Sequence, residues 1–87
     1  MARHRYPLIS KADYPAMQKL MGDDLPPRYE QWEYEIERRR NRDQYEDKSW
    51  SGETLVPVNP QEFAAYCGSE TPTRSVLDRF TNQKQLR

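Results

Sequence analysis

This 87-residue chain has very little of what sites are usually built from. A single cysteine, Cys67, excludes an internal disulfide framework and a cysteine-based zinc site. A single histidine, His4, excludes a His–His metal pair. The three glycines (22, 52 and 68) stand singly, so there is no glycine-rich phosphate loop. No apolar run is long enough to span a bilayer, and none at the start resembles a signal peptide. These absences predict a cytoplasmic protein that does not engage a membrane. Leu, Ile, Val and Phe together number only 13. So low a fraction implies disorder only when net charge is also high. Here 14 bases balance 14 acids, and the chain is expected to fold.

Aromatic residues make up part of the deficit. Six Tyr, two Trp and two Phe are large amphipathic groups that enlarge a small core while keeping a polar edge wet. The zero net charge also hides segregation. Residues 1–11 carry +3, 12–37 carry −5 and 72–87 carry +3. Basic ends around an acidic middle fit intramolecular pairing, self-association or a charged partner.

The same sorting recurs within one segment, RYEQWEYEIERRRNR at 28–42. Glu30, Glu33, Glu35 and Glu37 come first; Arg38, Arg39, Arg40 and Arg42 follow. On a helix from about Pro27 to Glu46, acids near the N-terminal end and bases near the C-terminal end would suit the macrodipole. Tyr29, Trp32 and Ile36 give that helix its apolar stripe. Glu35 and Arg39 have i, i+4 spacing for a pair.

Elsewhere, Tyr6 to Ile9 reads as a brief edge strand, because Pro7 is tolerated at edges and ends. Ser10 with Asp13 has capping-box spacing, or Asp13 caps with Pro15 in the first turn. Met17, Leu20 and Met21 then mark one face of a short helix stopped by Gly22. Residues 47–53 form a loop holding Trp50. Thr54 to Val58 reads as a second short strand. Asn59-Pro60-Gln61-Glu62 has an N-cap residue, a proline at the first helical position and an acid at the third. Val58 and Phe63 have hydrophobic-staple spacing around it. That helix carries Phe63, Tyr66 and Cys67 to Gly68. A last helix from Thr71-Pro72 buries Val76, Leu77 and Phe80, and from Thr81 it frays.

The segments LPPRYEQWEYE and VPVNPQEFAAYC resemble short bacterial reading frames that share an LP-x-x-Y-x-x-W helix and an x-V-x-P-x-E-F-x-x-Y-C corner. The resemblance covers about a third of the chain and implies a small bacterial protein of an uncharacterised family. Its motifs are structural, so no activity or site residue carries over.

Several residues invite a functional reading. The arginine run could contact phosphates by counterion release, but four glutamates lie within two turns, and a dedicated nucleic-acid binder shows a basic excess. Arg3 to Tyr6 could be a basic arm, against the usual looseness of termini. Asp23 with Asp24, or Glu33 with Glu37, are carboxylate pairs that lack a pocket to perturb their pKa values. Cys67 sits at a helix C-terminus, which disfavours a thiolate, and reads as a small core residue. Trp50 either folds back over the core or anchors an interface, where Trp and Arg are the usual hot-spot types. In the second case it could share a surface with Tyr45.

The expected fold is a small, mostly helical α+β single domain over 1–87. It has about four helices and at most a two-stranded sheet of Pro7–Ile9 and Thr54–Val58, held together across the long helix. Residues 1–5 and 82–87 are expected to be flexible tails. The expected core is Ile9, Met17, Leu20, Trp32, Ile36, Val56, Val58, Phe63, Tyr66, Val76, Leu77 and Phe80. The expected function is a non-catalytic protein-interaction or regulatory module, with an unknown protein partner or a second copy of itself. No cofactor or metal is expected. The candidate surface is Arg38, Arg39, Arg40, Arg42, Tyr45 and Trp50. The alternative is a nucleic-acid-associated accessory protein using Arg38–Arg42 and the basic termini.

Overall fold

A computed structural model describes residues 4–84. The chain runs β1 (His4–Leu8), α1 (Tyr14–Met21), a 3-10 turn (Gly22–Asp24), α2 (Tyr29–Glu46), β2 (Glu53–Pro57), α3 (Pro60–Cys67) and α4 (Arg74–Gln83). Among the described residues this is the small α+β fold expected, with four helices and one two-stranded sheet.

The two expected strands make that sheet, each beginning and ending earlier than expected. They pair directly and in parallel, from His4 opposite Glu53 to Leu8 opposite Pro57. Parallel strands require a long crossover, and α1 and α2 supply it. The ladder is bounded by His4 N–H donating to Gly52 O and Val58 N–H donating to Leu8 O. In a parallel pair, alternate residues turn both backbone groups toward the same neighbour. Even-numbered residues of both strands therefore face the ladder, and Pro7 and Pro57 turn outward. Each proline occupies an edge position where its missing N–H costs the sheet nothing.

Local signals explain the helix ends. Asn59 accepts from Gln61 N–H (2.9 Å) and Glu62 N–H (3.1 Å), and Pro60 opens α3. Val58 and Phe63, the staple pair, are both buried. Gly68 ends α3 with φ +58°, a conformation that a Cβ would strain. On α2, the Gln31 amide oxygen reaches back to accept Arg28 N–H at 3.3 Å, half of a capping box. The start of α4 falls at Arg74, capped by Thr73 Oγ1, two residues after the expected Thr71-Pro72 start.

The core holds ten of the twelve expected residues; Leu20 and Tyr66 pack against it half-buried. It also holds Tyr6, Tyr14, Met21, Leu25, Cys67 and Thr81. The two tyrosines are buried because each hydroxyl finds an acceptor: Tyr6 donates to Asp43 Oδ2 (2.8 Å) and Tyr14 to Pro26 O (2.6 Å). Thr81 does not begin a fraying tail. Its hydroxyl donates to Leu77 O at 2.7 Å, so a polar side chain is satisfied within its own helix and α4 continues to Gln83.

The ends are likewise structured where they are described. His4 and Arg5 belong to β1, and Asn82 and Gln83 to α4. The Arg5 Nη1 donates to the carbonyls of Thr81 (3.3 Å), Asn82 (3.3 Å) and Lys84 (2.6 Å), which satisfies the last turn of α4. The rest of both expected tails, 1–3 and 85–87, lies outside the described residues.

Candidate functional site

Helix α2 places the arginine run, and the placement divides it. The helix continues through Asp43, Gln44, Tyr45 and Glu46, and its last turn contains no base. Helix-end electrostatics fade within the first and last turns. The arginines are therefore mid-helix, and only Glu30 sits where the dipole favours its charge.

Arg39 and Arg40 flank the Ile36 stripe and turn toward the fold. Arg39 pairs with Asp78 of α4 at 3.5 Å and lies over the Tyr6 ring at 5.8 Å. Arg40 makes a two-pronged pair with Glu53 of β2, Nε donating at 2.7 Å. That guanidinium holds the Glu53 carboxyl below the usual carboxylate range, against a smaller opposing effect of burial. The expected Glu35–Arg39 pair does not form. Glu35 instead meets Arg74 of α4 at 2.5 Å, and Arg74 also covers the Trp32 ring at 4.8 Å.

Arg38 and Arg42 turn outward. Arg38 lies 5.7 Å from the Tyr34 ring centroid, and among the described residues Arg42 makes only a long contact with Asp43 at 3.9 Å. Tyr34 is 61% exposed and Tyr45 89%. At 3.6 residues per turn, positions 34, 38, 42 and 45 share one face, opposite Trp32 and Ile36. This is the candidate site: two exposed tyrosines interleaved with two exposed arginines on one helix face. Tyr34 was missing from the sequence reading. Its signal was its spacing, four residues before Arg38 and off the Tyr29–Trp32–Ile36 stripe.

Trp50 does not join that face. It is half-buried, and its indole Nε1 is enclosed with no hydrogen-bond partner among the described residues.

A second polar group was also missed. His4 Nε2 lies 2.7 Å from Asp47 Oδ2, and Nδ1 lies 3.8 Å from Asp43, which accepts the Tyr6 hydroxyl. The His4 contact, followed by the Ser49 hydroxyl and N–H, holds Asp47 below the usual carboxylate range. Burial, then the bond to Asp43, pushes the Tyr6 hydroxyl far above the ordinary tyrosine range. These contacts tie the C-terminal half of α2 to the sheet.

Comparison with protein-family models, curated proteins and solved structures finds no match.

The remaining chemistry is sparse. Cys67 is buried, and burial pushes its thiol up, with Glu70 acting in the same direction. Such a thiol stays protonated at neutral pH and is a poor nucleophile. Among the described residues, no group of three His, Cys, Asp or Glu side chains could hold a metal ion. No helix among them is long and apolar enough to cross a membrane. A groove of about 370 Å³ between α2 and the sheet is lined by Trp32, Ile36, Glu37 and Arg40. Leu8 and Leu55, 46% and 38% exposed, also line it.

Proposed function

We propose that the chain is a non-catalytic protein-interaction or regulatory module that binds through the outward face of α2. One observation carries this reading: Tyr34 and Tyr45 are exposed beside Arg38 and Arg42 on a face that contributes nothing to the core. Exposed tyrosine and arginine together are characteristic of protein contact surfaces. The resemblance of its two segments to bacterial reading frames and its lone buried cysteine suggest the cytoplasm of a bacterium.

A photo-crosslinking amino acid at position 45 tests the reading in cells that make the protein. A discrete protein adduct, lost when Arg38 and Arg42 become alanine, supports it. Adducts that scatter without preference, or none, overturn it.

The second reading is a nucleic-acid accessory role, favoured by the aromatic–arginine interleaving, since bases stack on tyrosine while arginine meets phosphate. Fluorescence-anisotropy titration against duplex DNA, single-stranded DNA and RNA separates the two. No binding at low salt supports the protein partner. Micromolar binding that weakens with salt and is lost on Arg38→Gln and Arg42→Gln supports the nucleic acid and overturns our first choice.

A further inference from the structure

We infer that the outward face of α2 pairs with the same face of a second copy of this chain, antiparallel, about a two-fold axis near position 36. This rests on the protein-interaction reading and names its partner. On the outward face that holds Tyr34 and Tyr45, the charges left out of the tertiary ion pairs are Glu30 toward the start of α2 and Arg38 and Arg42 toward its end; Glu33 and Glu37 line the groove against the sheet instead. None of them pairs with another helix or strand among the described residues. What the fold leaves outward is therefore still sorted, acid before base.

A helix sorted this way matches itself when reversed. Two-fold pairing near position 36 sets Glu30 across from Arg42 of the other copy and Tyr34 across from the other copy's Arg38. Symmetry makes each contact occur twice. One is an ion pair; the other sets a guanidinium against an exposed tyrosine face. Parallel pairing would set acid against acid and base against base. A polyanion would meet Glu30 as well as the arginines, and a polycation the reverse. A second copy is the partner for which both halves are attractive at once.

The 18 residues of α2 span about 27 Å. One helix face of that length falls short of the roughly 800 Å² per partner of a standard stable interface. The pairing is accordingly weak, and its exposed charge contacts weaken with salt.

Sedimentation velocity of the full chain, from about 10 μM to about 1 mM at low and high salt, tests this, with affinities compared on the usual logarithmic scale. The wild type should shift from monomer to dimer, less so at high salt. Glu30→Arg alone and Arg42→Glu alone should each weaken the dimer at least about tenfold, because each sets like charges opposite one another twice. Both positions are exposed, and circular dichroism confirms that each variant folds. An equimolar mixture of the two should recover the dimer, since in the mixed pair both contacts again join opposite charges. A wild type that is monomeric throughout, single variants that dimerise like the wild type, or a mixture that fails to recover would each overturn the proposal. A monomeric wild type alongside a foreign-protein adduct at position 45 removes self-pairing and leaves the interaction reading standing. Absence of any adduct removes that reading itself.

Discussion

The hydroxyl of Tyr6 offers the sharpest test of how the sheet is held to α2. The ring is fully buried, and the hydroxyl donates to Asp43 Oδ2 at 2.8 Å. A hydrogen bond to a charged acceptor is worth about 1.5–3 kcal/mol when one partner is deleted. Asp43 keeps 23% of its side-chain surface, so water can replace part of the lost bond. The cost of Tyr6→Phe should therefore fall to about 1–2 kcal/mol. In a domain of this size that is a drop in Tm of about 5–15 °C. Thermal and urea unfolding of Tyr6→Phe, Asp43→Ala and the double variant close a cycle whose coupling should reach about 1 kcal/mol. Additivity within about 0.3 kcal/mol would refute the bond as a stabilising link. The cycle also has a pH signature. Burial and Asp43 raise the Tyr6 ionisation in the folded state, so the fold binds that proton more tightly than the unfolded chain does. The stabilisation is complete below the ordinary tyrosine range and is lost as pH rises through and above it. Tyr6→Phe should show a shallower alkaline loss of stability than the wild type.

Three further perturbations check other joints of the fold. Asn59→Ala removes the acceptor for two N–H groups of α3 and should cost about 1 kcal/mol by urea unfolding; no change would mean the corner is held by its staple alone. Trp50→Phe removes a buried N–H with no partner, an arrangement that costs about 1–3 kcal/mol, and that relief offsets the lost ring contacts. Its stability should stay within about 1 kcal/mol of the wild type, and a loss above about 2 kcal/mol would mean the indole is bonded. Toward acid, Glu53 and Asp47 have depressed folded-state pKa values, caused first by Arg40 and by His4 respectively. Their contribution is present above the ordinary carboxylate range and lost as pH falls below it. Glu53→Gln should flatten the acid limb of a stability–pH curve, and an unchanged limb would refute the Arg40–Glu53 link.

What could be read in advance was what is local. The Asn59 corner declares itself because cap, proline and staple all fall within six residues, from Val58 to Phe63. The Trp32–Ile36 stripe follows from helical period. That β1 and β2 share a sheet was legible; its parallel sense and register were not, because nothing near His4 points to Glu53. Tyr6 and Tyr14 fell outside the expected core and Thr81 was expected to fray, because their burial depends on acceptors supplied by the fold: Asp43, the Pro26 carbonyl and the Leu77 carbonyl. The arginine run was visible as a run. Its division was not, because a shift of one residue around α2 decides whether a guanidinium meets Asp78, Glu53 or solvent. Trp50 was open between core and interface; it lies in the loop after α2 and is half-buried, whereas Tyr45 stays on the helix and is exposed.

That division bears on any anionic partner. Basic residues outside the α2 run are also engaged: Arg5 holds the end of α4, and Arg74 joins Glu35, Trp32 and the Asp24 carbonyl. A polyanion that recruited all four arginines would have to displace Asp78 and the two-pronged Glu53 pair. Left to the outward face, it meets Arg38 and Arg42 alone. Duplex DNA binding loses about 0.9 in log K per log unit of salt for each phosphate neutralised. Two contacts give a slope of about −1.8 and four give about −3.6. Any DNA binding seen should therefore follow the shallow slope, and Arg39→Gln should leave that slope unchanged while lowering thermal stability. A slope near −3.6 that falls on Arg39→Gln would mean that Arg39 releases Asp78 on binding and that the run acts as one surface.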